Sequence, residues 1–215
     1  MMVDELGYNR FGAQGGDWGS MVTQALGRDH ADKVAAIHIN MLFHVPRGQP
    51  DAETQAWLAK FGNLMQRESA YSMLHQTKPQ TIGLALADSP IGFASWVVEK
   101  CRSWSDCAGD IERSFSKDAL ITNIMTYLVS DNVQSAIWMY NGMLKEHHRR
   151  NEKVNVPTGF AEFPAEFISP PPRQAVEQDY NLVHWSRMTA GGHFAAWEEP
   201  AAFAEEVALF FDRWR

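Results

Sequence analysis

The segment GAQGGDWGSMV, from Gly12 to Val22, places one aspartate, Asp17, among glycines and next to Trp18. Before it, RFGAQ (Arg10–Gln14) is a short strand candidate. After it, apolar residues recur at the spacing of one helix face, beginning at Met21. Glycine permits the tight turns that join such elements. The segment is therefore predicted to form a sharp strand-to-helix turn that carries Asp17.

A second strand candidate follows this helix. VAAIHIN (Val34–Asn40) is rich in β-branched residues and almost continuously apolar, as expected of a strand that is buried on both faces. Strand, turn, helix and strand in this order form a βαβ unit, and such units build parallel sheets. The start of the chain is therefore predicted to belong to an α/β fold.

The middle of the chain has a different pattern. From about Asp51 to Arg150 nearly every segment is helix-like, and SPIGFASWVVEKCRSW and SKDALITNIMTYLVSD each begin with a serine suited to cap a helix. The strand pattern then returns in KVNVPTGFA and NLVHWSRM. The predicted organisation is part of an α/β core at 1–48, an inserted all-helical domain at 49–151, and the rest of the core at 152–215.

Composition excludes several classes of partner. The 215 residues carry a formal net charge of −7, whereas nucleic acids and anionic membranes attract clustered lysine and arginine. No stretch approaches the roughly 20 apolar residues of a membrane span. No cysteine or histidine spacing matches a zinc site. We therefore expect a cytoplasmic protein without nucleic acid, membrane span or metal, while membrane association of a longer parent protein and self-association into a homo-oligomer stay open.

A glycine-rich strand-to-helix turn can serve three kinds of chemistry. A phosphate-binding loop needs a lysine that this turn lacks, and a dinucleotide fold needs a glycine spacing that GAQGGDWG does not supply. The third kind is the nucleophile elbow, a small-x-nucleophile-x-small turn, which Gly15–Gly19 fits with aspartate as the nucleophile. The alternative is that Asp17 only caps the following helix.

Two further polar residues stand where an elbow fold needs them. Its catalytic residues follow the chain order nucleophile, acid, histidine, and the histidine comes after the last strand. AGGHFAAWEEP places His193 directly after the final strand candidate. GFAEFPAEF, after the preceding strand candidate, offers Glu162 and Glu166 as the acid. The residues alone leave the choice between these two glutamates open.

An aspartate nucleophile predicts a particular reaction. A carboxylate that attacks an acyl carbon forms an anhydride, which offers little advantage for catalysis. A carboxylate that attacks a strained or activated saturated carbon forms an alkyl ester, which a water activated by histidine can hydrolyse. Asp17 therefore indicates hydrolysis of an epoxide or of a haloalkane.

At this point the sequence resembles a known family. The motifs GGDWGS, RESAY, TKPQTIGLALADSPIGFASW, VPTGFAEFPAE and RMTAGGHFAAWEEP together resemble the microsomal-type epoxide hydrolases of the α/β-hydrolase superfamily. The resemblance extends from about Leu6 to the C-terminus. It implies an α/β-hydrolase fold with a helical cap, a small apolar epoxide as substrate, and no metal or organic cofactor.

The resemblance also assigns roles to residues. It implies that Asp17 is the nucleophile, that His193 activates water and that Glu166 orients the histidine, with Glu162 ranked lower. RESAY and WMYNGML carry the family's two epoxide-binding tyrosines to Tyr71 and Tyr140. Either phenol alone is more typical of packing in a helical domain, but two at the family's positions favour the functional role. The backbone N–H of Trp18 would be one donor to the oxyanion.

The chain departs from the family pattern at its start. Only 16 residues precede Asp17, and MMVDELGYNR contains nothing like the family's His-Gly-Trp-Pro loop, which supplies the other oxyanion donor. We therefore expect the sequence to be the C-terminal portion of a longer enzyme. The alternative is a genuine short product.

Two rival functions stay open at this point. One is a haloalkane dehalogenase, which shares Asp-Trp at the elbow, but its halide leaving group needs no proton and hence no tyrosine pair. The other is a catalytically inactive fragment that binds apolar ligands, or that pairs with a partner supplying the missing strands.

Overall fold

A computed structural model describes residues 1–42, 49–145 and 152–214, with the side chains of 143–145 left out of the description. The chain forms two compact units. One comprises Met1–Phe61 and Asn151–Arg215, and the other comprises Gly62–Arg150. The sequence-based division at residues 48 and 151 stays a prediction of the domain boundaries.

Strands and helices follow one another in the order that the sequence patterns predict. The first elements are β1 (Phe11–Gly15), α1 (Asp17–Asp29) and β2 (Val34–Ile39). Six helices follow: α2 (Ala52–Glu68), α3 (Ala70–Thr77), α4 (Pro79–Asp88), α5 (Pro90–Trp104), α6 (Lys117–Val129) and α7 (Val133–Lys145). The chain then forms β3 (Val154–Glu162), α8 (Arg173–Asp179), β4 (Tyr180–Arg187), α9 (Ala195–Glu198) and α10 (Pro200–Phe211). Two 3-10 turns lie at Ile111–Arg113 and Asp212–Trp214.

The first unit is built on a four-stranded sheet in which every pair of neighbouring strands is parallel. The strand order is β1-β2-β3-β4, and Ile39 is in register with Phe160, which in turn is in register with Trp185. Because all strands run in one direction, the segments that follow their carboxyl ends leave the sheet at the same edge. Polar residues after different strands can therefore meet there.

Helices cover both faces of this sheet. All six residues of β2 are buried, as its sequence predicts. A Cβ atom at Gly27 of α1 would lie 3.1 Å from the Ile37 side chain, and the rings of His38 and Phe210 are 5.4 Å apart. Since successive residues of a strand point to opposite faces, α1 packs on one face and α10 on the other.

The second unit is helical and is assembled around its own core. Ser89 accepts a hydrogen bond from the Gly92 N–H at 3.1 Å, and Ser116 accepts one from the Ala119 N–H at 3.2 Å. Both helix caps predicted from the sequence are thus confirmed. The core of the unit includes Leu86, Phe93, Ile124, Val133 and Ile137.

No single helix among the described residues has the length and apolar composition needed to cross a membrane. The adjoining helices α4 and α5 meet that test only when they are taken together, and they are bent by 112° relative to each other.

Candidate active site

The turn between β1 and α1 holds Asp17 in a rare backbone conformation. Its φ angle is +46°, in the left-handed region that residues other than glycine seldom adopt. Gly16 occupies the N-cap position of α1 and is extended, so the alternative in which Asp17 is the helix cap is wrong. The Asp17 side chain is 53% exposed, and its carboxylate is therefore presented to the outside of the turn.

The two glycines before Asp17 are required by close contacts. A Cβ atom at Gly15 would lie 2.1 Å from the backbone oxygen of Gly19, and one at Gly16 would lie 2.7 Å from Oδ1 of Asn40. Neither position has room for a side chain without a shift of its neighbours. The glycine pattern of the segment is thus explained by how tightly the turn closes.

Asn40 supports this turn from the neighbouring strand, and the sequence did not single it out for that role. It directly follows β2, its Oδ1 accepts a hydrogen bond from Nε2 of Gln14 at 3.0 Å, and its N–H donates to the backbone oxygen of Gly15 at 3.4 Å. A polar residue at the carboxyl end of a buried, mostly apolar strand was the available signal.

His193 lies between the carboxylates of Asp17 and Glu166. Its Nδ1 is 3.1 Å from both carboxylate oxygens of Glu166, and its Nε2 is 3.9 Å from Oδ2 of Asp17. The first distances are those of a hydrogen bond, whereas 3.9 Å is an ion-pair distance beyond hydrogen-bond range. The histidine and Glu166 are buried, while Asp17 is exposed.

The loops that carry His193 and Glu166 are joined by their backbones. The Ala165 N–H donates to the Gly191 oxygen at 3.1 Å, and Ala165 forms a parallel bridge with Gly192. Gly191 has a φ of +96°, and a Cβ atom there would meet the Phe163 ring at 3.0 Å. The two loops, which follow β4 and β3, are therefore joined by their backbones, and this holds His193 close to Glu166.

Glu166 is also held from its own loop. Its Oε1 accepts a hydrogen bond from the Ile168 N–H at 3.1 Å, and its own N–H donates to the Phe163 oxygen at 3.2 Å. A carboxylate with a backbone donor on one side and an imidazole on the other has little freedom to rotate. Such a carboxylate can hold the proton of His193 on Nδ1 and leave Nε2 directed at Asp17.

These two carboxylates determine the protonation of His193. Burial favours the neutral imidazole and lowers its pKa, but the hydrogen bonding to Glu166 and the negative charges of Glu166 and Asp17 outweigh burial. The net effect raises the pKa of His193 to about 9. At neutral pH the imidazole is therefore a cation between two anions.

Glu162, the other acid considered from the sequence, lies elsewhere. Its Oε2 accepts hydrogen bonds from Nε1 of Trp185 at 2.9 Å and from Nε of Arg187 at 3.3 Å. It lines a surface groove of about 580 Å³ together with Trp57 and Arg173. The geometry thus brings Glu166, rather than Glu162, to His193.

Known proteins share the sequence and the fold of this chain. A provisionally named epoxide hydrolase of Stigmatella aurantiaca (strain DW4/3-1) is 37% identical over 218 residues, which cover 100% of this chain and 49% of that protein. Epoxide hydrolase 1 of Sus scrofa is 34% identical over 233 residues, which cover 95% of this chain and 51% of that protein. The chain is a relative of the epoxide hydrolases.

Structural similarity agrees with the sequence. The solved structure of Aspergillus niger epoxide hydrolase matches with a TM-score of 0.84 at 27% identity, covering 100% of this chain and 55% of that one. The α/β-hydrolase fold predicted from the sequence is thus confirmed. No protein-family model matches the chain. The chain spans about half the length of the curated relatives it matches.

The second unit brings together the two tyrosines that the resemblance to epoxide hydrolases singles out. The rings of Tyr71 on α3 and Tyr140 on α7 have centroids 5.8 Å apart and meet edge to face. His75 contacts both rings edge to face, at 5.6 Å from Tyr71 and 4.8 Å from Tyr140. Its Nε2 accepts a hydrogen bond from Nε1 of Trp96 at 3.1 Å, and burial lowers its pKa to about 4. The imidazole beside the tyrosine pair is therefore neutral.

A cation also stands over Tyr71. The Lys100 ammonium is 5.1 Å from the centroid of the Tyr71 ring and 3.3 Å from Oε2 of Glu68, which also accepts a hydrogen bond from Nε1 of Trp104 at 3.0 Å. An ammonium within about 6 Å of an aromatic centroid is attracted to the ring. Lys100 and Glu68, which the sequence analysis did not select, thus help to fix the orientation of Tyr71.

Trp18, the predicted oxyanion donor, follows Asp17 in the first turn of α1 and is half-buried. Its backbone N–H directly follows Asp17 in the turn, and its role as an oxyanion donor stays a prediction. Phe167 and Phe194, which sequence reasoning missed, flank His193 with ring centroids at 5.1 and 5.0 Å and complete the apolar walls around the imidazole.

Proposed function

We propose that this chain carries the reacting groups of an epoxide hydrolase, which converts a small apolar epoxide into a vicinal diol through an ester on Asp17. One observation carries the proposal: an exposed aspartate on a strained strand-to-helix turn faces Nε2 of a buried histidine whose Nδ1 is bound to Glu166. The kinship with epoxide hydrolases supports the choice of substrate class.

In the first step an oxygen of the Asp17 carboxylate attacks the less hindered epoxide carbon. The new C–O ester bond forms as the ring C–O bond breaks, and the released alkoxide takes a proton from Tyr71 or Tyr140. Two neighbouring phenols suit this task because hydrogen bonds aimed at developing negative charge stabilise the transition state. A halide leaving group would need no such proton, so the tyrosine pair favours an epoxide over a haloalkane.

In the second step His193 removes a proton from water, and the hydroxide attacks the ester carbonyl carbon of Asp17. The Trp18 N–H would donate to the oxyanion of the tetrahedral intermediate. Collapse of this intermediate breaks the bond between the carbonyl carbon and the alkyl oxygen, the leaving oxygen takes the proton that His193 removed from water, and the diol is released. The proton of the carboxylic acid formed on Asp17 passes through solvent to the phenolate left by the first step. Asp17 thus regains a carboxylate in which one oxygen came from water.

The charges around His193 suit this order of steps. Asp17 and Glu166 together raise the pKa of His193, so the imidazole is protonated while Asp17 is a free carboxylate. Ester formation removes the charge of Asp17 and with it one of the causes of the raised pKa. His193 thereby becomes able to act as a base when a base is needed.

Single-turnover labelling tests this mechanism. The 215-residue chain is mixed in excess with styrene oxide in H₂¹⁸O, quenched and analysed by peptide mass spectrometry. We expect a styrene oxide adduct on the Asp17 peptide at early times, ¹⁸O in the same peptide later, and no ¹⁸O in the first diol released. The Asp17→Ala variant is expected to give neither adduct nor diol.

Two outcomes would contradict the proposal. Label that appears in the first diol but never in the Asp17 peptide would mean that water attacks the epoxide directly. A folded chain that binds styrene oxide without any adduct would favour an inactive fragment that binds apolar ligands.

A further inference from the structure

Glu198, at the end of α9, accepts hydrogen bonds from the backbone N–H groups of the two residues next to His193. Its Oε2 accepts a hydrogen bond from the Gly192 N–H at 3.1 Å, and its Oε1 accepts one from the Phe194 N–H at 2.9 Å. One side chain thus binds the N–H groups of the residues immediately before and after the histidine. Neither the family resemblance nor the proposed chemistry assigns a role to this glutamate.

Glu198 and Phe194 are connected in both directions. The backbone N–H of Glu198 donates to the Phe194 oxygen at 2.9 Å, while the Phe194 N–H donates to the Glu198 carboxylate. This reciprocal pair closes a ring between the His193 loop and the four-residue helix α9. Hydrogen bonds to an ionised acceptor are roughly twice as strong as neutral ones. A helix this short gains most of its order from such contacts.

The other side of the His193 loop is held by a different residue. The Gly191 oxygen accepts a hydrogen bond from the Ala165 N–H at 3.1 Å. Backbone groups of residues 191, 192 and 194, around the histidine, are therefore all hydrogen-bonded. The hydrogen bond to Glu166 in turn restricts rotation of the imidazole side chain. Glu198 is thus a side chain that holds the backbone on both sides of His193.

We propose that Glu198 is a positioning residue that holds His193 in line between Glu166 and Asp17. This inference rests on the proposed function, because it concerns the step in which His193 activates water. It predicts that loss of Glu198 slows hydrolysis of the ester and leaves formation of the ester unchanged. Ester formation at Asp17 needs no base, whereas hydrolysis of the ester needs the imidazole in the correct place.

The Glu198→Gln variant tests the role with little change of volume. A glutamine has one acceptor oxygen and would turn its NH₂ group towards one of the two backbone donors, so one hydrogen bond is lost. A misplacement of about 1 Å can cost roughly 10²-fold in rate. We therefore expect ester decay to slow by roughly 10- to 100-fold and ester formation to keep its rate. Glu205→Gln, the same change at an exposed position of α10, is the matched control.

A second readout does not depend on catalysis. The Nδ1–H proton of His193, bound to Glu166, should give a downfield proton resonance that exchanges slowly with water. We expect this resonance to broaden or to exchange faster in Glu198→Gln and to stay unchanged in Glu205→Gln. If Glu198→Gln does not fold, Glu198→Asp keeps the charge but is too short to reach both amides, and it is expected to show the same changes.

The outcomes separate the two proposals. If the wild-type chain forms an ester and Glu198→Gln hydrolyses it at the wild-type rate, Glu198 has no positioning role. Equal loss of both steps would also overturn the inference, because it would indicate a general loss of structure. If the wild-type chain forms no ester, the proposed function fails, and the His193 resonance alone then supports or overturns the role of Glu198.

Discussion

The Nε2 atom of His193 lies 3.9 Å from the Asp17 carboxylate, which makes this aspartate one of the two anions that hold the imidazole protonated. The contact crosses from the loop after β4 to the turn after β1, two segments at opposite ends of the chain. Parallel strands bring them together at one edge of the sheet. The charge of Asp17 is thereby linked to the protonation of His193.

Neutralising Asp17 should therefore lower the pKa of His193. With the raised pKa of about 9, the contribution of His193 to stability is fully present below the ordinary value of 6.5 and is lost between pH 6.5 and 9. In Asp17→Asn we expect the histidine to titrate below pH 9 and this alkaline loss of stability to shrink. The measurements are a proton–nitrogen NMR titration of His193 and urea unfolding at pH 6 and pH 9. Asp32→Asn, at an exposed position, is the control, and an unchanged titration in Asp17→Asn would contradict the linkage.

The two glutamates near the end of β3 give a matched pair of variants. Glu166→Gln replaces the carboxylate that binds Nδ1 of His193 and should slow decay of the ester by roughly 10²-fold, the scale of general-base effects. Glu162→Gln alters only the contacts with Trp185 and Arg187 and should leave ester decay unchanged. Rapid-quench mass spectrometry of the Asp17 peptide measures both rates. The reverse ranking of the variants would identify Glu162 as the acid.

The sequence was most informative where structure is determined locally. The elbow glycines, the buried strand β2 and the caps Ser89 and Ser116 each depend on residues close in the chain, and all of them form as predicted. The proximity of Asp17, Glu166 and His193 could also be predicted from their places in the chain, because the segments that follow parallel strands leave the sheet at one edge.

The missed residues depend on contacts that are distant in the chain or on backbone detail. Asn40 acts on a turn more than 20 residues earlier, and Lys100 meets Glu68 across 32 positions. The choice of Glu166 over Glu162 depends on a turn between Phe163 and Glu166 that points one glutamate at His193 and leaves the other at the end of the strand. Neither the long-range contacts nor the orientation of the two glutamates can be predicted from a local sequence pattern.

Loss of either tyrosine hydroxyl should affect the first step alone. We expect Tyr71→Phe and Tyr140→Phe each to slow ester formation by roughly 10²-fold or more, since removing one donor to developing negative charge typically costs about that much. The matched control is Tyr127→Phe, which changes a phenol packed against Phe93 in the same helical unit. Stopped-flow measurement of ester formation distinguishes the cases. If all three variants form the ester at the same rate, Tyr71 and Tyr140 do not take part in this step.

The sheet has a second polar cluster, on the face covered by α10, that should govern acid stability. Oε1 of Glu206 accepts hydrogen bonds from His184 and Ser186 at 2.7 Å each and lies 3.4 Å from His38. Burial would raise the pKa of Glu206, but these three partners outweigh burial and lower it from 4.5 to about 2. A depressed carboxylate pKa stabilises the fold above the unfolded-state value, and this stability is lost as the pH falls from about 4.5 towards 2.

Replacing Glu206 should therefore destabilise the protein at neutral pH and make its free energy of unfolding less dependent on pH in the acid range. At about 1.4 kcal/mol per pKa unit, the shift corresponds to a contribution on the order of 3 kcal/mol at pH 7. We expect Glu206→Gln to lose about that much in urea unfolding at pH 7 and to lose little more between pH 5 and pH 3, unlike the wild type. Glu205→Gln, one residue away and exposed, should behave as the wild type does. A parallel fall in stability with pH in Glu206→Gln and wild type would show that other carboxyl groups control acid unfolding.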